Sequence, residues 1–139
     1  MLKELNKLPF YTQKPPKSLG IEWVKSTVFP ILEKYEDNIP DILHTYTLHV
    51  AQQIAKTLDD NPETKVLMTG GGTFNNFLLR LLKTESKCHF TIPSDEIINY
   101  KEALIFGLLG VLKLRDEVNV LKSVTGAKKD HSSGVIYEI

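Results

Sequence analysis

Apolar and polar positions divide the chain into helix-like and strand-like stretches punctuated by glycine, proline and short polar runs. Between residues 21 and 35, Trp23, Val24, Val28, Ile31, Leu32 and Tyr35 recur at helical steps. Pro30 ends or kinks whatever precedes it, because its ring removes a backbone donor, so one or two short helices are predicted there. Leu43, Tyr46, Val50, Ile54 and Leu58 follow at steps of three or four, the spacing of one helix face. Asn38 and Asp41 flank Pro40 as capping residues, and Thr45, His49, Gln52 and Lys56 form the opposite, polar face. This amphipathic helix stops in Asp59, Asp60, Asn61 and Pro62, residues that favour turns.

The second half begins with Val66, Leu67 and Met68, a short apolar run closed by Gly70, Gly71 and Gly72, which predicts a buried parallel strand with a glycine exit turn. Phe74, Phe77, Leu78, Leu81 and Leu82 return to helical spacing, with Thr73 or Asn75 available as a cap. Residues 88–92 alternate like a second strand, closed by Pro93 and Ser94, that pairs with the first. A third helix is predicted over residues 101–115, apolar on nearly every side and therefore nearly buried all round. Its Gly107 and Gly110 each cost about 1 kcal/mol against alanine and point to close packing of another backbone. Residues 119–139 read as loop with a short terminal strand, and residues 8–20, holding three prolines, as an extended arm. Two strands beside three or four helices are too few for an independent covered sheet, so the pattern is that of an α/β chain forming part of a larger fold.

Composition narrows the function classes. The 139 residues carry seventeen Lys and Arg against seventeen Asp and Glu, a formal charge of zero, so no chain-wide basic field draws in nucleic acid or an anionic membrane. The apolar stretch near residues 103–112 falls far short of the roughly 20 residues of a membrane span. Residues 1–7 lack a secretory pattern, and a cytoplasmic address is expected. Cys88, the single cysteine, has no partner for an internal disulfide or zinc cluster and reads as an apolar filler.

The sharpest chemical feature is residues 68–76, MTGGGTFNN, where a strand passes into a helix through three glycines. Such a turn lets a ligand approach the backbone, and the new helix offers N–H groups and a favourable dipole to an anion or a nucleotide. No Gly-Lys-Ser or Gly-Lys-Thr follows and the pattern is not GxGxxG. Tight strand-to-helix packing is the equally open structural reading. Glu102 opens the third predicted helix, where the dipole favours a carboxylate; it serves as a cap or as an acceptor for a substrate hydroxyl. His44, His49, His89 and His131 lack metal-ligand spacing, no G-x-S-x-G elbow is present, and no metal or hydrolase site is expected. The lysine pairs Lys14 with Lys17 and Lys128 with Lys129 flank loops as solvated charge, or meet a phosphate.

Five ordered segments then carry a resemblance: PPKSLG at 15–20, DILHTYTLHVAQQIA at 41–55, VLMTGGGTFNNFLLRLL at 66–82, KEALIFG at 101–107 and SVTGA at 123–127. Together they resemble the anhydro-N-acetylmuramic acid kinases of the sugar kinase, actin and heat-shock chaperone superfamily. The resemblance implies a partial ribonuclease-H-like, actin-like ATPase fold covering about the C-terminal two fifths of a two-domain enzyme with ATP in its cleft. It implies a single nucleotide-side portion over residues 1–139, with the N-terminal catalytic portion elsewhere.

The resemblance also implies an adenosine motif at Gly70, Gly71, Gly72, Thr73, Asn75 and Asn76, and substrate-facing positions at Glu102, Lys17 and Ser18. Asn99 stands where that family commonly has Asp. The phosphate loop, the catalytic aspartate and most of the magnesium site would lie outside these residues, so no catalytic residue is assigned. The implied partners are ATP or ADP, the anhydro-sugar, and the N-terminal portion or a second copy. The implied reaction is ATP-dependent opening of a 1,6-anhydro ring with phosphate transfer to O6, in cell-wall recycling. Alone, the chain is expected to be nearly inactive; the alternative is a non-catalytic binding or assembly module retaining the kinase scaffold, and a third option is a nucleotide-sensing domain without transfer chemistry.

Overall fold

The computed structural model describes residues 1–14, 17–35 and 38–137; Pro15 and Pro16 of the PPKSLG segment lie outside them. These residues fall into two compact units, Met1–Ile92 and Pro93–Ile139.

The first unit starts with helix α1 (Leu2–Leu5) and a single 3-10 turn, Pro9–Thr12, after which residues 13–14 and 17–20 carry no regular structure. Residues 21–35 form one continuous helical run: α2 (Ile21–Trp23), a π segment (Val24–Val28), α3 (Phe29–Leu32) and a 3-10 end (Glu33–Tyr35). Pro30 does not end this run, which continues through it as α3. Because Pro30 offers no N–H to the preceding turn, the chain widens there, with Phe29 N–H donating to the Val24 carbonyl five residues back.

Helix α4 (Ile39–Ala55) begins as its sequence predicts, with Asn38 Oδ1 accepting from Asp41 N at 3.2 Å. The assignment of its faces is corrected: Leu43 on the predicted apolar face is exposed, whereas His49 on the predicted polar face is 1% exposed. The physical reason is tertiary, since α1 packs on α4, and the segment after it brings Asn6 and Tyr11 against His49.

Strand β1 (Lys65–Leu67) and strand β2 (His89–Thr91) pair in parallel, Val66 opposite Phe90, and helix α5 (Asn76–Glu85) connects them while packing on α4. Only Val66 of β1 is partly covered, and Leu67 is exposed, so the strand is not the buried one that its apolar run predicts. The unit's core holds Leu5, Val28, Ala51, Leu82 and Cys88. The Cys88 thiol donates to the Asp59 carbonyl at 3.2 Å, and Lys87 pairs with Asp60 at 2.7 Å, fixing the start of β2 against the turn that ends the α4 region.

The second unit is built on helix α6 (Asp95–Leu114), which starts a full turn and more before its predicted boundary. Asp95 and Glu96 occupy its first turn, where a negative charge meets the positive end of the helix dipole. Glu102 therefore does not open the helix; it lies about two turns inside. The expectation of all-round burial also fails, because Leu104 is 67% and Phe106 70% exposed. A Cβ added at Gly107 or Gly110 would meet no atom within 4 Å, so no backbone among the described residues packs closely on either.

Helix α7 (Lys122–Thr125) ends at Gly126 in the left-handed conformation, φ +73°, the usual glycine stop. Lys122 N donates to Asp130 Oδ1 at 2.7 Å, and Val120 pairs with His131 in an antiparallel bridge. Residues 135–137 form no strand, in place of the predicted terminal one. A helical framework carrying a two-stranded parallel sheet is that of a partial actin-like α/β fold.

Candidate functional site around the glycine turn

The glycine turn leaves β1 at its carboxyl end, the edge of a parallel sheet beyond which α/β proteins hold their ligands. Gly70 has φ +90°, a conformation that side chains rarely adopt, and it turns the chain sharply out of the strand. Gly71–Phe74 then form one 3-10 turn. Thr73 is buried and pins this turn twice, its N–H donating to the Gly70 carbonyl at 3.0 Å and its hydroxyl to the same oxygen at 2.7 Å.

Gly71 and Gly72 are exposed, and a Cβ built on either would find no atom of the described residues within 4 Å. Strand-to-helix packing therefore gives no reason for glycine at these two positions. Their amides donate to nothing among the described residues. Just before Gly70, Thr69 Oγ1 is buried without a hydrogen-bond partner among the described residues, a group that the sequence pattern did not single out.

The first turn of α5 departs from the expectation of unpaired N–H groups. Asn75 Oδ1 accepts from Phe77 N at 3.1 Å and Leu78 N at 3.0 Å, so this cap occupies two of the donors that an anion would use. The free polarity of the turn lies instead at Gly71, Gly72 and Thr69. Asn76, the first residue of α5, is exposed.

The remaining predicted site residues belong to other elements. Lys17 Nζ donates to the Phe10 carbonyl at 3.1 Å and the Tyr11 carbonyl at 3.4 Å, and stands 5.0 Å over the Phe10 ring. It thus clasps its loop to an aromatic cluster of Phe10, Tyr11 and Trp23. Ser18 is exposed, without a hydrogen-bond partner among the described residues. Glu102 is exposed on α6 in the other unit.

A second polar centre, which the helical pattern had placed on the solvent side, surrounds His49. Asn6 Oδ1 accepts from Gln53 Nε2 at 2.6 Å and lies 2.8 Å from His49 Nδ1. Since that oxygen only accepts, the network assigns the proton to Nδ1, and Nε2 accepts from the Tyr11 hydroxyl at 2.9 Å. Burial lowers the imidazole pKa from 6.5 to about 4, with Lys56 adding repulsion, and the ring is neutral. Burial likewise raises the Tyr11 and Tyr46 hydroxyls above their ordinary value. Among the described residues no three His, Cys, Asp or Glu side chains gather as a cation site, and no helix is long and apolar enough to cross a membrane.

Comparison with known proteins supplies the family. The sequence model described as anhydro-N-acetylmuramic acid kinase matches residues 1–139. The chain is 36% identical to the anhydro-N-acetylmuramic acid kinase of Francisella tularensis subsp. novicida, over 92% of this chain and 36% of that protein. It is 34% identical to that of Rhodococcus erythropolis, over 92% of this chain and 34% of that protein. Against that of Sulfurimonas denitrificans it is 29% identical, over 99% of this chain and 41% of that protein. The chain thus spans roughly two fifths or less of the curated relatives it matches, and corresponds to their C-terminal portion. On this match across its whole length, the chain belongs to the anhydro-N-acetylmuramic acid kinase family.

Proposed function

We propose that these residues form the nucleotide side of an ATP-dependent kinase acting on 1,6-anhydro-N-acetylmuramic acid, a cytoplasmic enzyme of cell-wall recycling. The observation that carries the reading is the glycine turn at the end of β1, where a side chain at Gly71 or Gly72 would meet no atom among the described residues. Gly70, Gly71, Gly72, Thr73, Asn75 and Asn76 would border the nucleoside. Thr73 and Asn75 act by holding the turn and the helix start, because their oxygens are already engaged inside the chain.

In the complete reaction, water adds to C1 as the bond from C1 to O6 breaks, O6 takes the γ-phosphoryl group of ATP, and a base receives the proton of water. No residue of this chain is assigned as that base. The absence of a general base costs typically 10² to 10⁴ in rate, so these residues alone should turn over very slowly. Magnesium would be held largely by the part of the enzyme beyond these residues. Glu102, Lys17 and Ser18 are proposed to face the sugar, with Lys17 shaping the loop that presents Ser18.

Calorimetric titration with magnesium-ADP, of the wild type and of Gly71→Val, tests the reading. A valine Cβ meets no atom within 4 Å among the described residues, so the variant should fold while crowding an approaching ligand. Binding by the wild type that is lost in Gly71→Val supports a preformed nucleotide half-site; no binding by the folded wild type counts against one. Mixing with the N-terminal portion of the enzyme should restore phosphorylation of the anhydro-sugar, and a folded mixture without activity would sink the kinase proposal.

The exposed apolar residues of α6, Leu104, Phe106 and Leu108, favour a second reading, a non-catalytic assembly module that binds a partner or a second copy through this helix. Light scattering after size exclusion separates the two. A strict monomer that binds ADP speaks for the nucleotide half-site, and an ADP-blind dimer for the module.

A further inference from the structure

The glycine turn carries one more feature, and its meaning rests on the nucleotide reading above. Phe74, the last residue of the 3-10 turn, is 53% exposed, although the next residue back, Thr73, is buried. The double anchor of Thr73 on the Gly70 carbonyl fixes the rotation of the turn and sends the following side chain outward. In a 3-10 turn residues three apart eclipse one another, so Phe74 rises on the same face as Gly71.

The face therefore joins a flat apolar ring to a stretch of bare backbone whose two amides have no acceptor among the described residues. Thr69 Oγ1, buried and unpartnered, precedes it at the strand end. An apolar plate beside free polar backbone suits a ligand with a planar aromatic part and a hydroxyl-rich part, as a nucleoside has.

We infer that Phe74 is the base-stacking residue of the nucleotide site, its ring lying against the adenine while Gly71 and Gly72 leave room for the ribose. Stacking uses the π face that every base offers, so Phe74 supplies affinity for the ring and little discrimination among purines. Selectivity for adenine over guanine has to come from other groups.

Nuclear magnetic resonance titration of the full chain reads this directly, with adenosine, ADP, guanosine and ribose 5-phosphate as probes. Cross-relaxation between the adenine H2 or H8 protons and the Phe74 ring protons of the wild type is the expected signature. Phe74→Ala should weaken adenosine and ADP binding by roughly 5- to 100-fold, the span typical of losing an aromatic stacking partner, and leave ribose 5-phosphate unchanged. Phe74→Tyr should restore binding, and Phe74→Leu, which keeps apolar bulk and so guards against misfolding, should not. A wild type that binds adenosine without contact to Phe74, and an alanine variant that binds equally well, would overturn the stacking role and leave the half-site standing. A folded wild type that binds neither adenosine nor ADP would overturn both.

Discussion

At His49 the folded chain holds a neutral ring between an acceptor and a donor, and this gives a signed pH dependence. The folded pKa of about 4 lies below the ordinary 6.5, so between those values the unfolded chain binds the proton and the folded chain does not. The contribution of His49 is complete above pH 6.5 and is lost as the pH falls towards 4. Urea midpoints measured at several pH values should fall more steeply across this window for the wild type than for His49→Gln. His49→Ala, which opens a buried site and orphans Asn6 and Tyr11, should cost about 2–4 kcal/mol. At the turn, Gly70→Ala forces a side chain to φ +90° and should destabilise by about 1 kcal/mol or more. Gly71→Ala has open space and should change stability by less than about 0.5 kcal/mol; thermal unfolding of the pair distinguishes a backbone requirement from a ligand requirement.

Among the elements, α5 depends on its cap. Asn75→Ala should lose about 1 kcal/mol, because the Phe77 and Leu78 amides would lose their acceptor, while Asn75→Asp should keep the stability. Helix α6 gives the opposite case. Gly107→Ala adds a Cβ into open space and should stabilise the isolated chain by roughly 0.5–1 kcal/mol in thermal unfolding. These two helices also show how far local sequence reaches. Asn75 was legible as a cap because its side chain acts within three residues, and the pairing of β1 with β2 followed from two short runs bounded by turn residues. The start of α6 was not legible from apolar spacing, since polar Asp95 and Glu96 form its first turn. The faces of α4 were misread because the partners of His49 come from Asn6 and Tyr11, distant in sequence, and hydrophobic spacing carries no information about a buried polar pair.

For the whole molecule, the exposed residues of α6 predict binding of an apolar dye such as anilinonaphthalene sulfonate and association that rises with concentration. Addition of the N-terminal portion of the enzyme should suppress both if that portion covers the helix. The sequence by itself determined the family, through ordered motifs spread along the chain, and several local devices of the fold: the helix from Asn38, the Asn38 and Asn75 caps, and the short strand with its glycine exit. These depend on neighbours a few residues apart, whose geometry the residue types nearly dictate. Tertiary structure alone decided that Gly71 and Gly72 are free of packing, that Lys17 clasps the Phe10 and Tyr11 carbonyls, and that His49 is buried and neutral. Empty space, a long-range clasp and a displaced proton depend on what the folded chain brings near, and a linear pattern does not encode that distance.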